Sequence, residues 1–149
     1  MDNAVQVSDA FTVARFEPGR RAFAEIAEKG FRSVVSLQTR GEDQKVGPDE
    51  ERALAEGAGL AFYQQDVTGG AMADAEVDRF REAVAALPKP VLLHCASGAR
   101  SGALTIMHVA AEEGLTGDET LRKAEALGFR CEPPELERFV RSYVDRHGG

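Results

Sequence analysis

Residues 91–102 read Val91-Leu92-Leu93-His94-Cys95-Ala96-Ser97-Gly98-Ala99-Arg100-Ser101-Gly102. This stretch is an apolar run that stops at a cysteine and passes through small residues to an arginine, a pattern that predicts a buried strand, a tight loop and a helix start. Small residues let the backbone curl so that several N–H groups and the dipole of the following helix converge on one anion. The sequence therefore predicts an anion-binding loop in which Cys95 is a thiolate.

The thiolate needs more than one source of stabilisation. Lowering a thiol pKa from about 8.5 to about 5.5 requires roughly 4 kcal/mol, whereas one helix terminus supplies about 0.3 to 2 kcal/mol. Converging N–H groups and Arg100 must supply the rest. The alternative interpretation of Cys95 is an ordinary buried thiol at a strand end. The neighbouring His94, Gly98 and Ser101 favour a functional cysteine over that alternative.

Composition predicts one soluble domain covering residues 1–149, because 43% hydrophobic and 29% charged residues are ordinary for a globular protein. The 18 basic and 25 acidic residues give a formal charge of −7, which argues against nucleic-acid or anionic-membrane binding. The first residues do not resemble a signal peptide and no run is long enough to span a bilayer, so we expect a cytoplasmic protein. Two cysteines, Cys95 and Cys131, are too few for a disulfide framework. No His/Cys spacing suits zinc, and we expect no metal and no cofactor.

Strands and helices alternate along the chain. The predicted strands are Phe11–Phe16, Ser33–Leu37, Leu60–Val67 and the run from Val91; the predicted helices are Arg20–Lys29, those beginning near Pro48, Asp74 and Thr116, a buried one after the cysteine loop and a last one after Pro133-Pro134. This alternation predicts an α/β layer structure with a largely parallel sheet. Ligands of such sheets bind at the carboxyl ends of strands, so the loops after Leu37, Asp66 and Val91–His94 should share one edge.

Segments Gly30–Leu37, Gly59–Tyr63 and Val91–Ser101 resemble the tyrosine and dual-specificity phosphatase superfamily, and within it the bacterial beta-lactamase-hydrolase-like phosphatase family. The likeness extends from about Val5 to Phe139. It implies a dual-specificity-phosphatase-like α/β fold, with a central, mostly parallel sheet flanked by helices on both faces. It also implies a cysteine-dependent phosphatase that hydrolyses phosphate monoesters through a phosphocysteine intermediate.

The resemblance also implies roles for individual residues. Cys95 would be the nucleophile, Arg100 would grip phosphate oxygens bidentately, and Ser101 would hydrogen-bond the thiolate as it leaves. His94 would orient the loop, and a satisfied histidine at a strand end is compatible with that role. Arg40 matches an arginine of the bacterial family and borders the predicted site, although a solvated polar loop explains it equally well. The expected substrate-binding residues are His94, Ala96, Ser97, Gly98, Ala99 and Arg40.

A phosphatase also needs an acid for the leaving group and a base for the attacking water. Asp66, located 29 residues before Cys95, lies where the superfamily usually carries this residue. The alternative is that Asp66 merely ends a strand. Asp74 is a second candidate for the acid, but helix capping explains its position.

Four residues separate Cys95 from Arg100, whereas phosphatases of the superfamily normally have five. The bacterial family shares the short loop, and sulfurtransferases of the rhodanese type also show it, with a persulfide in place of phosphate. Two other functions therefore stay open: sulfur transfer through a persulfide on Cys95, and a non-catalytic phosphate-binding or redox module. The expected partner is a phosphorylated protein or small phosphate ester, or a sulfane-sulfur donor. Sulfur transfer needs no general acid, so Asp66 discriminates between the two reactions.

Overall fold

A five-stranded, mostly parallel sheet lies at the centre of the protein. The computed structural model describes residues 3–39, 44–67, 72–95, 98–129, 131 and 134–147. The strands are β1 (Ala4–Gln6), β2 (Phe11–Ala14), β3 (Ser33–Ser36), β4 (Ala61–Gln64) and β5 (Val91–His94). Their spatial order is β1-β2-β5-β3-β4, in which only β1 runs antiparallel to its neighbour. The predicted α/β class and the largely parallel sheet are confirmed.

The four parallel strands end at the same level. Ala14 of β2 and Ser36 of β3 both lie opposite His94 of β5, and Gln64 of β4 lies opposite Ser36. The residues that follow these strands therefore share one edge of the sheet, as the sequence predicts. Because β5 is the central strand, Cys95 emerges in the middle of that edge.

Helices cover both faces of the sheet. They are α1 (Ala22–Glu28), α2 (Pro48–Gly57), α3 (Asp74–Ala86), α4 (Ala99–Glu113), α5 (Gly117–Ala126) and α6 (Pro134–His147). Val34 and Leu92 share an apolar cluster with residues of α1 and α2. The next residues along the same strands, Val35 and Leu93, share the other cluster with residues of α3, α4, α5 and α6. Strand residues point alternately to opposite faces, so these runs of consecutive apolar residues reflect burial on both sides.

Helix α4 is buried from Ser101 to Ala111, as its apolar circumference predicts. Gly102 allows close packing there, since a Cβ atom on it would lie 2.6 Å from the ring of Phe129. Across the described ranges, no helix has both the length and the apolarity that crossing a membrane requires. The buried helix gives its N-cap residue, Gly98, a rigid support.

Two helix starts and one strand test the sequence predictions. The helix predicted near Thr116 begins with a capping box: the Thr116 hydroxyl accepts the Glu119 N–H at 3.1 Å and the Glu119 carboxylate accepts the Thr116 N–H at 2.8 Å. The prediction that Asp74 caps α3 is wrong, because the N-cap is Ala73 and the Asp74 carboxylate forms an ion pair with Arg146 of α6. Strand β1 is not predicted, because three residues are too few to show alternation.

His108 on α4 is a buried core histidine with satisfied ring nitrogens. Its Nδ1 accepts the Arg81 Nε–H at 3.3 Å, and its Nε2 lies 3.1 Å from the Glu112 carboxylate. Burial lowers the pKa of His108 below its ordinary value of 6.5, with Arg81 and Lys89 acting in the same direction and Glu112 opposing them. The imidazole is therefore neutral in the folded protein at neutral pH.

This burial predicts acid destabilisation. Below about pH 6.5 the unfolded chain binds a proton at His108 that the folded chain does not, so the free energy of unfolding should fall as the pH falls. Above that pH the contribution of His108 is fully present. Urea unfolding at several pH values measures this effect. The free energy of unfolding should depend less on pH in His108→Gln than in the original protein. Parallel curves for the two proteins would contradict this assignment, and His147→Gln at the exposed end of α6 is the matched control.

Candidate active site

The sulfur of Cys95 lies at the centre of the site. It is fully buried and directly follows strand β5. The Gly98 N–H donates to Sγ at 3.2 Å, and the Ser101 hydroxyl oxygen lies 3.4 Å from Sγ. Gly98 is the N-cap of the 15-residue helix α4, so Sγ faces the positive end of that helix. One N–H donor, a hydroxyl that is able to donate and a helix dipole therefore converge on the sulfur, which is the arrangement that favours a thiolate.

Gly98 is required at its position for two reasons. Its φ of +93° lies in the left-handed region, which other residues adopt only with strain. A Cβ atom would also lie 2.9 Å from Cγ and 3.3 Å from Cα of Arg15. Glycine therefore permits the backbone conformation in which the Gly98 N–H donates to Sγ, and it leaves room for the Arg15 side chain.

Arg100 joins the first turn of α4 to the segment that follows β4. Its Nη1 donates to the Val67 carbonyl at 2.9 Å, and the Thr39 hydroxyl donates to the same carbonyl at 3.1 Å. Thr39 follows β3, Val67 follows β4 and Arg100 follows β5, so the three segments meet at one oxygen atom. The edge predicted to bind ligand is thus held together by these contacts.

Asp66 lies next to this meeting point. It is exposed, and its Oδ1 accepts a hydrogen bond from Gln64 Nε2 at 2.6 Å. The same Gln64 nitrogen donates to the Gln38 carbonyl at 2.9 Å, which ties Asp66 to the end of β3. A carboxylate is therefore held on the segment that Arg100 contacts.

His94 has a buried partner that the sequence does not predict. Its Nε2 lies 2.5 Å from Oε2 of Glu51, and the side chains of both residues are 1% exposed. Glu51 belongs to the acidic first turn of α2, together with Asp49 and Glu50. Nothing in the sequence distinguishes Glu51 from those neighbours, because its burial depends on how α2 packs on the sheet.

The structure brings together most of the residues predicted for the site. The described residues at this edge of the sheet are His94, Cys95, Gly98, Ala99, Arg100, Ser101 and Asp66. Arg40, Ala96 and Ser97 lie outside the described residues. Asp74, the second candidate for the acid, is paired with Arg146 of α6 instead. Among the residues that the structure covers, no group of three or more His, Cys, Asp or Glu side chains is suited to hold a metal ion.

A cavity of about 260 Å³ lies beside the loop, and Gly98, Phe129 and Cys131 contribute to its wall. Cys131 is half-buried. Burial raises the pKa of the Cys131 thiol, and Glu137 raises it further. Cys131 is therefore a neutral thiol. Its surroundings favour the protonated form, whereas those of Cys95 favour the thiolate.

The same fold occurs in solved phosphatases. The structure superimposes on Tk-PTP in its active form with a TM-score of 0.80 and 20% sequence identity, covering 97% of each chain. It superimposes on TpbA from P. aeruginosa in complex with pTyr with a TM-score of 0.73 and 18% identity, covering 97% of this chain and 88% of that one. Identities this low establish the fold, and both neighbours confirm the expected phosphatase-like architecture.

Sequence comparison identifies the family. A beta-lactamase hydrolase-like protein from Xylella fastidiosa is 34% identical over 113 residues, which are 75% of this chain and 25% of the relative. The chain thus spans about a quarter of the length of this curated relative. The family model for the phosphatase-like domain of beta-lactamase hydrolase-like proteins matches residues 6–112. That match includes strand β5, the cysteine and the arginine, and the chain therefore belongs to the phosphatase-like domain family of beta-lactamase hydrolase-like proteins.

Proposed function

We propose that this chain is a single-domain, cysteine-dependent phosphatase that hydrolyses phosphate monoesters through a phosphocysteine intermediate. The observation that carries the proposal is the environment of Cys95 Sγ, which receives the Gly98 N–H at 3.2 Å and lies 3.4 Å from the Ser101 hydroxyl. These groups stabilise the thiolate before attack and again when it becomes the leaving group. Their position at the start of α4 also suits the phosphate dianion that a monoester presents.

In the first step, the Cys95 thiolate attacks phosphorus. The S–P bond forms as the bond from phosphorus to the ester oxygen breaks, and the departing oxygen takes a proton from the Asp66 carboxylic acid. Arg100 and the loop N–H groups hold the phosphoryl oxygens, where negative charge must be neutralised in the transition state. The products of this step are the free alcohol or phenol and a phosphocysteine.

In the second step, water attacks the phosphocysteine. The Asp66 carboxylate takes a proton from the water, the new P–O bond forms, and the S–P bond breaks. Cys95 leaves as a thiolate that accepts the Ser101 hydroxyl proton in a hydrogen bond. Inorganic phosphate departs and Asp66 is again a carboxylic acid, so the cycle closes without any other reactant.

A phosphorylated protein or a small phosphate ester fits this mechanism. The complex of TpbA with pTyr supports a phosphotyrosine or dual-specificity substrate, because the two proteins share one fold. Sulfur transfer is the competing chemistry for a loop of four residues between Cys95 and Arg100. It would leave a persulfide on Cys95 and require no proton donor.

One pair of assays separates these reactions. Release of phosphate from p-nitrophenyl phosphate is expected, whereas intact mass after thiosulfate treatment is expected to show no sulfur added to Cys95. A protein that gains one sulfur atom and releases no phosphate would overturn the phosphatase proposal in favour of sulfur transfer. A protein that does neither would leave the cysteine loop as a binding or redox module.

Replacing Asp66 with asparagine tests the proton transfer. Asparagine still offers an oxygen to Gln64 Nε2 but carries no proton for the ester oxygen. General acid catalysis contributes about 100- to 10,000-fold, so kcat for phenyl phosphate should fall at least about 100-fold. The effect on p-nitrophenyl phosphate should be much smaller, because its leaving group departs readily as an anion.

The matched control is Asp9→Asn, a change of the same chemistry in the exposed turn before β2, at the opposite edge of the sheet. It is expected to leave both substrates unaffected. Equal losses on phenyl phosphate and p-nitrophenyl phosphate in Asp66→Asn would show that Asp66 does not protonate the leaving group.

A further inference from the structure

The side chains of Glu51 and His94 form a buried pair next to Cys95 in the chain, since His94 directly precedes the cysteine. This pair takes no part in the steps described above. We infer that Glu51 is a positioning residue for Cys95, acting through His94 from the opposite face of the sheet. The expected effect of Glu51 on kcat rests on the proposed function, but its expected effect on the Cys95 thiolate does not.

The pair is isolated from water. The carboxylate and the imidazole are each 1% exposed and lie 2.5 Å apart. The other ring nitrogen of His94, Nδ1, is buried and has no hydrogen-bond partner among the described residues. Among the described residues, Glu51 is therefore the hydrogen-bond partner that orients the His94 imidazole. A carboxylate accepts the Nε2–H and so also selects the tautomer.

The position of Glu51 is itself fixed. Its backbone N–H donates to the Gly47 carbonyl at 2.8 Å in the first turn of α2. A carboxylate near the positive end of a helix is stabilised by the helix dipole. Helix α2 packs on β4, and its Ala55 belongs to the apolar cluster on that face of the sheet. The acceptor thus stands on a rigid element, 43 residues from His94 in sequence.

The side chains of His94 and Cys95, at the end of β5, lie on opposite faces of the sheet. His94 reaches α2 on one face, whereas Cys95 belongs to the apolar cluster on the face of α3 and α4. The backbone of His94 is already held between Ala14 of β2 and Ser36 of β3. The Glu51 contact anchors its side chain as well, so both the backbone and the side chain of the last residue of β5 are fixed. This in turn fixes the position of the backbone at Cys95, the next residue.

The sulfur is sensitive to small movements of this strand end. The Gly98 N–H belongs to the N-cap of α4, whereas Sγ belongs to the residue that directly follows β5. Hydrogen bonds weaken steeply as distance and angle depart from their optimum. If the end of β5 moves, the donors cease to converge on Sγ and the thiolate loses stabilisation. Removing Glu51 should therefore reduce the thiolate fraction of Cys95 at neutral pH.

The test measures the thiolate directly. Glu51→Ala and Glu51→Gln are made in a Cys131→Ser background, so that Cys95 is the one remaining cysteine. The ultraviolet absorbance of the thiolate is followed through a pH titration, and alkylation by iodoacetamide is timed at neutral pH. Glu51→Ala is expected to move the titration midpoint upward and to slow alkylation several-fold. Glu51→Gln, which keeps the shape and an acceptor oxygen, should show a smaller shift in the same direction.

Glu50→Gln is the matched control. Glu50 precedes Glu51 on the same helix turn but is exposed and pairs with Arg20. Its replacement removes one negative charge from α2 and is expected to leave the midpoint unchanged. Thermal unfolding of each variant reports whether it is folded. A folded Glu51→Ala with the original midpoint and alkylation rate would overturn the inference; if Glu51→Ala does not fold, an unchanged Glu51→Gln overturns it.

These outcomes are independent of phosphatase activity, because the thiolate titration requires no turnover. A shifted midpoint in a protein that hydrolyses no phosphate ester would contradict the proposed function and support the role of Glu51. An unchanged midpoint in an active phosphatase would contradict the role of Glu51 alone. In an active protein, the positioning role also predicts a lower kcat for Glu51→Gln with little change in KM.

Discussion

Replacing Cys95 with serine is expected to reduce hydrolysis of p-nitrophenyl phosphate at least about 1000-fold, because a nucleophile is being replaced. A serine hydroxyl keeps its proton at neutral pH and is a far weaker nucleophile than a thiolate. The Gly98 N–H and the start of α4 are unchanged in this variant, so the loop should still bind a phosphate anion. Steady-state release of p-nitrophenolate measures the loss, and protection from thermal unfolding by inorganic phosphate measures the binding that remains.

The control for this variant is Cys131→Ser. Cys131 is a neutral, half-buried thiol outside the hydrogen bonds made to Sγ, so its replacement is expected to leave turnover at the original rate. Because Cys95 is fully buried, the unfolding temperature of Cys95→Ser must be compared with that of the original protein. Substantial turnover by folded Cys95→Ser would exclude the phosphocysteine mechanism.

The sequence predicts two of the contacts of Cys95 Sγ, because that information is local. A strand that ends at a cysteine, a glycine three residues later and a serine on the next helix turn together specify which groups can reach Sγ. The structure brings Gly98 and Ser101 to the sulfur as expected. The alternating strands and helices likewise predict the parallel sheet, because each element has a local pattern and a helix between two strands is the usual connection of parallel strands.

The contacts that brace the site are not predictable in the same way, because they join distant segments. The order β1-β2-β5-β3-β4 differs from the order along the chain, and in that spatial order Glu51 of α2 reaches His94 at the end of β5. Glu51 therefore has the pattern of a surface residue in sequence and is buried in the structure. The meeting of Thr39 and Arg100 at the Val67 carbonyl has the same origin. Backbone carbonyls carry no sequence signal, so no motif could have identified this contact.

Replacing Arg100 with lysine is expected to lower kcat/KM about 100-fold or more, although the charge is kept. Lysine offers a point charge on a flexible stem, whereas the planar guanidinium can hold two phosphoryl oxygens at once. Groups that hold charge as it develops in the transition state contribute about 100- to 1000-fold each. The loss should therefore appear mainly in kcat, and inhibition by inorganic phosphate should weaken less. Arg32→Lys, at an exposed position before β3 and at the other edge of the sheet, is the control.

Arg100 also makes a contact that does not involve phosphate. Its Nη1 also donates to the Val67 carbonyl at 2.9 Å and so helps to hold the segment that carries Asp66. The Thr39 hydroxyl makes the other contact to the Val67 carbonyl. Replacing Thr39 with valine removes that contact and leaves the Arg100 guanidinium in place. If Arg100 acts chiefly by holding this segment, Thr39→Val should share part of the kcat loss. If it acts chiefly on phosphate, Thr39→Val should stay close to the original rate, and added guanidinium should restore part of the activity of Arg100→Ala. We expect the second pattern, because substrate phosphate carries the charge that a guanidinium neutralises, whereas the Val67 carbonyl is a neutral acceptor.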